Sequence, residues 1–241
     1  MKIIITENEE KFDREGAVLF TRQALKKPDT TFALATGDTT RNIFALAAVM
    51  HNELKVDYSL CKTCNLDEYA GVAADDKRSC RYRINEVLLD KINIKKENTY
   101  VPDGLCSPPE KELEIFKKKI ESFGGIDYLI MGIGSNGHIG FNEPGTPLDS
   151  SFRVAELSLE TRKDKIKVFG SFDQTPKFGI TMGIRDIMAS REILLAAKGK
   201  SKAEVIRRIV HGNLSIDVPA SVVRLHPSLT ILADKEAASL L

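Results

Sequence analysis

The sequence predicts an α/β protein built on a mostly parallel sheet with helices on both faces, residues 1–241 forming one domain. Three observations lead there. Short apolar runs alternate with longer stretches of helical periodicity along the whole chain. The apolar run Ile126–Met131 passes directly into the glycine-rich segment MGIGSNGHIGFNEPGTP, Met131–Pro147. No linker, internal repeat or low-complexity stretch divides the chain into halves.

The elements follow in order. Lys2–Thr6 reads as a short strand and Glu10–Lys27 as an amphipathic helix stopped by Pro28. Thr31–Thr36 (TFALAT) is a compact apolar strand, followed by the turn Gly37-Asp38-Thr39-Thr40 and a helical run Asn42–Leu54. Leu60–Leu66 forms a weaker strand with Asp67-Glu68-Tyr69 at its end, and Ser79 is placed to cap a helix reaching about Lys91. A strand over Asn98–Val101 precedes a charged helix, Pro109–Phe123, which Gly124-Gly125 ends. After Ile126–Met131 and its loop come a helix from Glu160 and a short one near Ile184–Met188. A strand Glu192–Ala197, a helix Ser201–Val210 and a last strand Leu229–Ala233 complete the pattern.

Composition narrows the function. The chain is 42% hydrophobic and 29% charged, with 35 basic against 34 acidic residues, so no overall charge draws it to nucleic acid or a membrane surface. The start, MKIIITENEEKF, is too briefly apolar for a secretory signal, and no run approaches the roughly 18 residues of a membrane span. A cytoplasmic protein is expected, with its four cysteines reduced. Cys61 and Cys64 have redox spacing, but on an extended segment side chains three apart point to opposite faces, and no second pair completes a zinc set. Structural thiols and no metal are the expectation.

In a parallel sheet, ligands bind beyond the carboxyl ends of the strands, and several such ends carry reactive groups. Gly132, Gly134 and Gly137 match a loose dinucleotide pattern, but Gly140, Pro144, Gly145 and Pro147 forbid the helix that pattern requires. The segment instead reads as a catalytic loop. His138 and Glu143, across a tight glycine turn, suit an imidazole–carboxylate pair in which the carboxylate fixes the ring tautomer; a structural histidine is the alternative. Asp67 and Glu68 after an apolar strand suit a general base, because partial desolvation raises a carboxyl pKa toward neutrality; a solvated acidic turn is the alternative. Thr36, Gly37, Asp38 and Thr39 open a helix whose free N–H groups and hydroxyls suit a phosphate, with the Asp38 carboxylate expected to point away. A plain helix cap would also account for them. Cations for that anion are offered by the run Arg162–Lys167 and by Lys198–Lys202, where Lys202 reaches the first turn of a helix.

Together these residues resemble the glucosamine-6-phosphate deaminase family. The resemblance rests on Leu34-Ala35-Thr36-Gly37, on Asn65-Leu66-Asp67-Glu68-Tyr69-Ala70-Gly71 and on the run from Gly132 to Gly145. It extends through Gly199-Lys200-Ser201-Lys202-Ala203, Pro219-Ala220-Ser221 and Leu225-His226-Pro227, so it covers nearly the whole chain. The string Asn-Gly-His-Ile-Gly-Phe-Asn-Glu-Pro-Gly is its most specific part. The related 6-phosphogluconolactonases share a Gly-x-Gly and a Gly-His but continue differently.

The resemblance implies a single-domain, Rossmann-like three-layer fold of the deaminase/phosphosugar-isomerase type. It implies conversion of glucosamine 6-phosphate and water to fructose 6-phosphate and ammonia without metal or cofactor. By carry-over, His138 assists ring opening with Glu143 and Asn136, and Asp67 moves a proton between carbons 2 and 1. Glu68 and Tyr69 would support the site. Thr36, Gly37, Asp38, Thr39, Lys167 and Lys202 would hold the phosphate. The partner is then a sugar phosphate, not nucleic acid or membrane, with the chain a monomer or homo-oligomer.

Departures from the family pattern gather at the phosphate end. Asn136 stands where some members carry an aspartate. Lys167 stands where an arginine is usual, which loses a bidentate fork. Asp38 and Thr40 replace a commoner Gly-Thr-Pro ending, and Ser79-Cys80 replaces Ser-Tyr. The last change keeps a galactosamine 6-phosphate substrate open. Ala155 in place of a lysine, and the short tail after Asp234, imply weak or no activation by amino sugars.

Overall fold

The computed structural model describes residues 1–241. In chain order the first elements are β1 (Lys2–Thr6), α1 (Glu9–Lys26), β2 (Thr31–Leu34), α2 (Asp38–Leu54), β3 (Lys62–Asn65) and β4 (Asp67–Tyr69). Then follow α3 (Cys80–Ile84), which runs on into a π-helical turn Asn85–Leu89, β5 (Thr99–Tyr100), α4 (Glu110–Ser122), β6 (Tyr128–Gly132) and β7 (Arg153–Glu156). The rest comprises α5 (Leu159–Phe169), β8 (Phe178–Thr181), α6 (Ile184–Met188), β9 (Glu192–Ala197), α7 (Ala203–His211) and β10 (Leu229–Asp234).

Seven strands form one sheet in the order β1-β10-β9-β6-β2-β3-β5, and every neighbouring pair runs parallel. Alternation along each strand explains how both faces are covered. Phe32, Leu34, Tyr128, Ile130, Leu194, Ala196 and Leu232 enter one apolar cluster with side chains of α1 and α2. Ala33, Leu129, Met131, Ile193, Leu195 and Ile231 enter the other, with α4, α6 and α7. The result is the three-layer α/β arrangement expected. Cys61 lies in the first cluster and Cys64 in the second, so the Cys-x-x-Cys pair is divided between the two faces, and all four cysteines are free thiols.

The sheet order reverses between β2 and β6. From β2 the chain steps outward through β3 to β5, and from β6 it steps the other way through β9 to β10. Loops leaving β2 and β6 therefore part from each other and leave a crevice, the usual ligand position in an open α/β sheet.

Three features differ from the sequence expectation. The segment expected as one strand over Leu60–Leu66 breaks at Leu66, and Asp67–Tyr69 becomes a strand of a second, antiparallel sheet, β4-β8-β7, with Asp67 opposite Thr181. The carboxylates are thus held in a ladder rather than in a solvated turn. The helix expected from Asn42 begins at Asp38, with Gly37 as N-cap. The Ser201–Val210 helix begins as a 3-10 turn, Lys200–Lys202, before α7. Ser79 caps α3 as expected, accepting from the Tyr82 N–H at 2.9 Å.

Candidate active site

Beyond the carboxyl ends of β2, β3, β6 and β9 lies a cleft of about 450 Å³. Asp67 from β4, His138 from the loop after β6, the Thr36–Thr39 turn and Lys202 all line it, as do Lys165 and Lys167 of α5. Residues separated by more than a hundred positions in sequence meet because four adjacent parallel strands end on the same side.

The loop after β6 is folded around the imidazole. Gly134 has no room for a side chain: a Cβ there would come within 2.3 Å of the His138 ring. The Gly134 N–H donates to the His138 carbonyl at 3.0 Å, and Asn136 Oδ1 accepts from the His138 N–H at 3.1 Å. The ring sits with Nδ1 at 3.5 Å from Glu143 Oε2 and 3.4 Å from Thr161 Oγ1. Asn136 Nδ2 donates to the same Glu143 oxygen at 3.1 Å, and the Ser158 N–H reaches Oε1 at 3.3 Å. Burial alone would push the Glu143 carboxyl up. The hydrogen bond and charge of His138, helped by Thr161 and Asn136, outweigh it and bring the pKa to about 2. Glu143 is therefore a fixed anion behind the imidazole, leaving Nε2 free for proton transfer. Asn136 and Glu143 do not themselves line the cleft; they set the ring from behind.

Asp67 occupies a different environment. It is 7% exposed, and burial first, then the neighbouring Glu68 carboxylate, raise its pKa to about 7. The Cys80 thiol donates to Oδ1 at 3.7 Å. Gly140, at φ +57, carries the glycine-rich loop past this carboxylate; a Cβ there would lie 3.5 Å from Asp67 Oδ2 and 3.0 Å from Thr181 Oγ1. The Asp67 carboxyl in the cleft and the Glu143 carboxyl behind it are thus driven in opposite directions, Asp67 upward by burial and Glu143 downward by its hydrogen bonds and the charge of His138.

At the other end of the cleft, α2 begins without a side-chain cap, because Gly37 has none to offer. Its leading N–H groups are left for a ligand. Thr40 turns its hydroxyl back onto the Ala35 carbonyl at 2.6 Å. Lys202, at the start of α7, is half-buried, and desolvation lowers its pKa below the ordinary lysine value. It makes no ion pair within the protein, so an anion entering the cleft meets an unpaired ammonium beside an open helix terminus.

The chain as a whole is similar to known proteins. The family model described as glucosamine-6-phosphate isomerases/6-phosphogluconolactonase matches residues 15–231. A glucosamine-6-phosphate deaminase of Shouchella clausii (strain KSM-K16) is 42% identical over 239 residues, covering 99% of this chain and 97% of that one.

The chain belongs to this family.

Another member, a glucosamine-6-phosphate deaminase of Bacillus pumilus (strain SAFR-032), is 40% identical over the full length of both chains. The solved structure of a monomeric glucosamine-6-phosphate deaminase superposes with a TM-score of 0.97 at 38% identity, each chain fully covered. The 6-phosphogluconolactonase of Trypanosoma brucei superposes with a TM-score of 0.82 at 20% identity, which shows a shared fold.

Within the family site, two sequence expectations are corrected. Glu68, expected as a supporting group in the cleft, faces the opposite way. It is 1% exposed and accepts backbone N–H bonds from Tyr69 at 2.8 Å, Cys80 at 2.9 Å and Arg81 at 2.9 Å. It is a buried anchor for the N-terminus of α3, which in turn carries Cys80 to Asp67. The Asp38 carboxylate, expected to point away, lies in the cleft and pairs with Lys167 at 2.5 Å and Arg83 at 3.2 Å. Of the cationic run on α5, Arg162 is withdrawn, donating to the Phe172 and Thr175 carbonyls and stacking on the Phe172 ring at 3.9 Å.

Sequence reasoning also missed cleft residues. Thr161 and Asp164 gave no signal beyond ordinary helix chemistry, and only the packing of α5 over the sheet brings them in; Arg83 of α3 does not line the cleft but reaches it through its pair with Asp38. Cys80 stood out only as a departure from the family pattern. No group of three or more His, Cys, Asp or Glu side chains is gathered as a metal site requires, and no helix is long and apolar enough to cross a membrane.

Proposed function

We propose that the protein is a hexosamine-6-phosphate deaminase of amino-sugar catabolism that converts glucosamine 6-phosphate and water to fructose 6-phosphate and ammonia. The observation that carries this reading is the presence, in one cleft, of a neutral-range carboxyl (Asp67), an anion-backed imidazole (His138 with Glu143) and an unpaired cation beside a helix N-terminus (Lys202 and α2). Full-length similarity to deaminases at about 40% identity supports the choice of substrate.

The residues divide the reaction as follows. The phosphate binds the open terminus of α2 through the Thr36–Thr39 turn and Lys202, which fixes the sugar at an end remote from the chemistry. His138 moves the proton between the ring oxygen and the carbon 1 hydroxyl, opening the pyranose to the aldehyde; Glu143 and Asn136 hold the ring for this step. Asp67 removes the proton from carbon 2 of the open ammonio-aldehyde while an ammonium proton passes to the carbon 1 oxygen, giving an enolamine, and then returns its own proton to carbon 1. The resulting iminium at carbon 2 takes up water, and the carbon–nitrogen bond breaks to leave the ketone and ammonia. No redox change occurs and no cofactor is needed for the balance. The single domain, residues 1–241, supplies every group in this scheme.

Galactosamine 6-phosphate is the second reading, favoured by the small Cys80 side chain beside the proposed base. Ammonia release from the two sugar phosphates, assayed side by side, tests both. Glucosamine 6-phosphate is expected to be the faster. Preference for its epimer would select the second reading, and hydrolysis of 6-phosphogluconolactone with ammonia from neither would reject both.

Two further outcomes are expected. Because Asp67 acts ionised and its carboxyl is raised to about 7, kcat/KM should rise tenfold per pH unit below that value and level above it. A profile that is flat from pH 5 to 8 would remove Asp67 as the limiting base. Lys202→Ala should raise KM for the phosphorylated sugar by about ten- to a hundredfold, since an unpaired, partly desolvated ammonium is lost. An unchanged KM would dismiss Lys202 from the phosphate cradle.

A further inference from the structure

The phosphate end of the cleft already contains an anion. Asp38 is the first residue of α2, the position at which an incoming phosphate would meet the free N–H groups. Its two carboxylate oxygens are divided between two cations from different helices: Oδ2 pairs with Lys167 of α5 at 2.5 Å and Oδ1 with Arg83 of α3 at 3.2 Å. Lys202, across the same cleft, is left unpaired. Lys165, which also lines the cleft, makes no ion pair either, so two nearby cations are free and two, Lys167 and Arg83, are already engaged.

We propose that Asp38 is a built-in counter-anion of the phosphate cradle, holding Lys167 and Arg83 until a phosphate group displaces it, and so setting how tightly this chain binds the phosphate of its substrate. This rests on the reading of the cleft as a sugar-phosphate site and adds a determinant of affinity to it. Asp38 and Lys167 are both well exposed, with side-chain accessibilities of 57% and 65%. Water screens exposed pairs of this kind, so their exchange for a phosphate is easy. A phosphate brings up to two negative charges and three acceptor oxygens, against one charge and two oxygens on Asp38, and it makes the better partner for the same donors. The carboxylate nevertheless remains nearby after displacement and repels the phosphate. Wild-type affinity is therefore lower than the number of surrounding cations suggests, and Lys167 contributes little while Asp38 is present.

The test is a double-mutant cycle read with inorganic phosphate by calorimetry and with glucosamine 6-phosphate by KM. Asp38→Ser should tighten phosphate binding about tenfold at low salt, as expected for removing a like charge a few ångströms away. Lys167→Ala in the wild-type background should change it less than about twofold, whereas Lys167→Ala in the Asp38→Ser background should reverse about fivefold or more of the gain, the signature of a masked cation. Asp38→Asn, which keeps the shape and loses the charge, should follow Asp38→Ser. Weaker or unchanged phosphate binding in both Asp38 variants, or no phosphate binding in any variant, would overturn the proposal. A simple role of Asp38 in stabilising the start of α2 predicts that unchanged result, with only a small loss of thermal stability. The phosphate titration does not depend on turnover. Absence of ammonia release with the expected binding cycle would reject the deaminase reading alone, and ammonia release without the cycle would reject the counter-anion alone.

Discussion

Asp67→Asn is expected to lower kcat by about a thousandfold or more while leaving the affinity for the sugar phosphate nearly unchanged. The amide has the same shape and still faces the Cys80 thiol and the loop at Gly140, but it cannot take a proton from carbon 2. Exchange of the carbon 2 hydrogen with solvent should therefore vanish with turnover. Retained exchange would show that another group is the base. The same substitution should stabilise the fold in alkaline buffer. A carboxyl whose pKa rises from 3.8 in the unfolded chain to about 7 in the folded one binds its proton more tightly when folded. Its contribution is thus favourable below the unfolded value and is lost as pH rises through the folded one. At pH 8 the wild type carries a buried charge that the Asn variant lacks, a difference on the order of 2–4 kcal/mol that thermal unfolding would register as several degrees. Activity and stability move in opposite directions at one atom pair, and a merely structural Asp67 would move both downward.

His138→Gln is expected to lower turnover of the cyclic sugar by about a hundred- to a thousandfold, with ring opening as the step that slows. Glutamine can fill part of the space over Gly134, yet it cannot shuttle a proton between the ring oxygen and the carbon 1 hydroxyl. Glu143 would lose the partner that holds its carboxyl near 2 while keeping the Asn136 and Ser158 hydrogen bonds. Carbon 2 exchange from a substrate already open should survive, because Asp67 is untouched. Normal turnover of the cyclic sugar would make His138 a structural residue of the loop.

These two predictions lean on residues that the sequence made visible for a physical reason. Helix and strand periodicity marked the seven-stranded sheet well; Lys2–Thr6, Ile184–Met188 and Glu192–Ala197 coincide with the observed elements. The glycine-rich loop was legible because only close backbone approach requires glycine at a position such as Gly134, under the imidazole. The small antiparallel sheet was not legible. Its strands are three or four residues long, and the Asp67–Thr181 pairing joins segments over a hundred residues apart, so no local pattern announces it. Glu68 misled for a related reason: a carboxylate that is buried to receive three backbone N–H bonds looks, in sequence, like one aimed at a ligand. The Asp38–Lys167 pair spans 129 positions, and Asp38 alone gave no hint of the cations that hold it.

The strand order explains why these distant groups can act as a unit. The reversal between β2 and β6 opens the crevice, β3 leads into Asp67 on one flank, and the loop after β9 delivers Lys202. Asp67, His138 and Lys202 each follow a buried parallel strand within a few residues, and the β4–β8 ladder holds Asp67 further, which fixes their positions without help from the substrate.

The most direct measurement is a mass balance on the full chain, supplied with glucosamine 6-phosphate alone and followed for ammonia and ketose phosphate together. The account predicts equimolar release of ammonia and fructose 6-phosphate, lost in Asp67→Asn. Fructose 6-phosphate formed without ammonia, or equal yields from the Asp67→Asn protein, would contradict it.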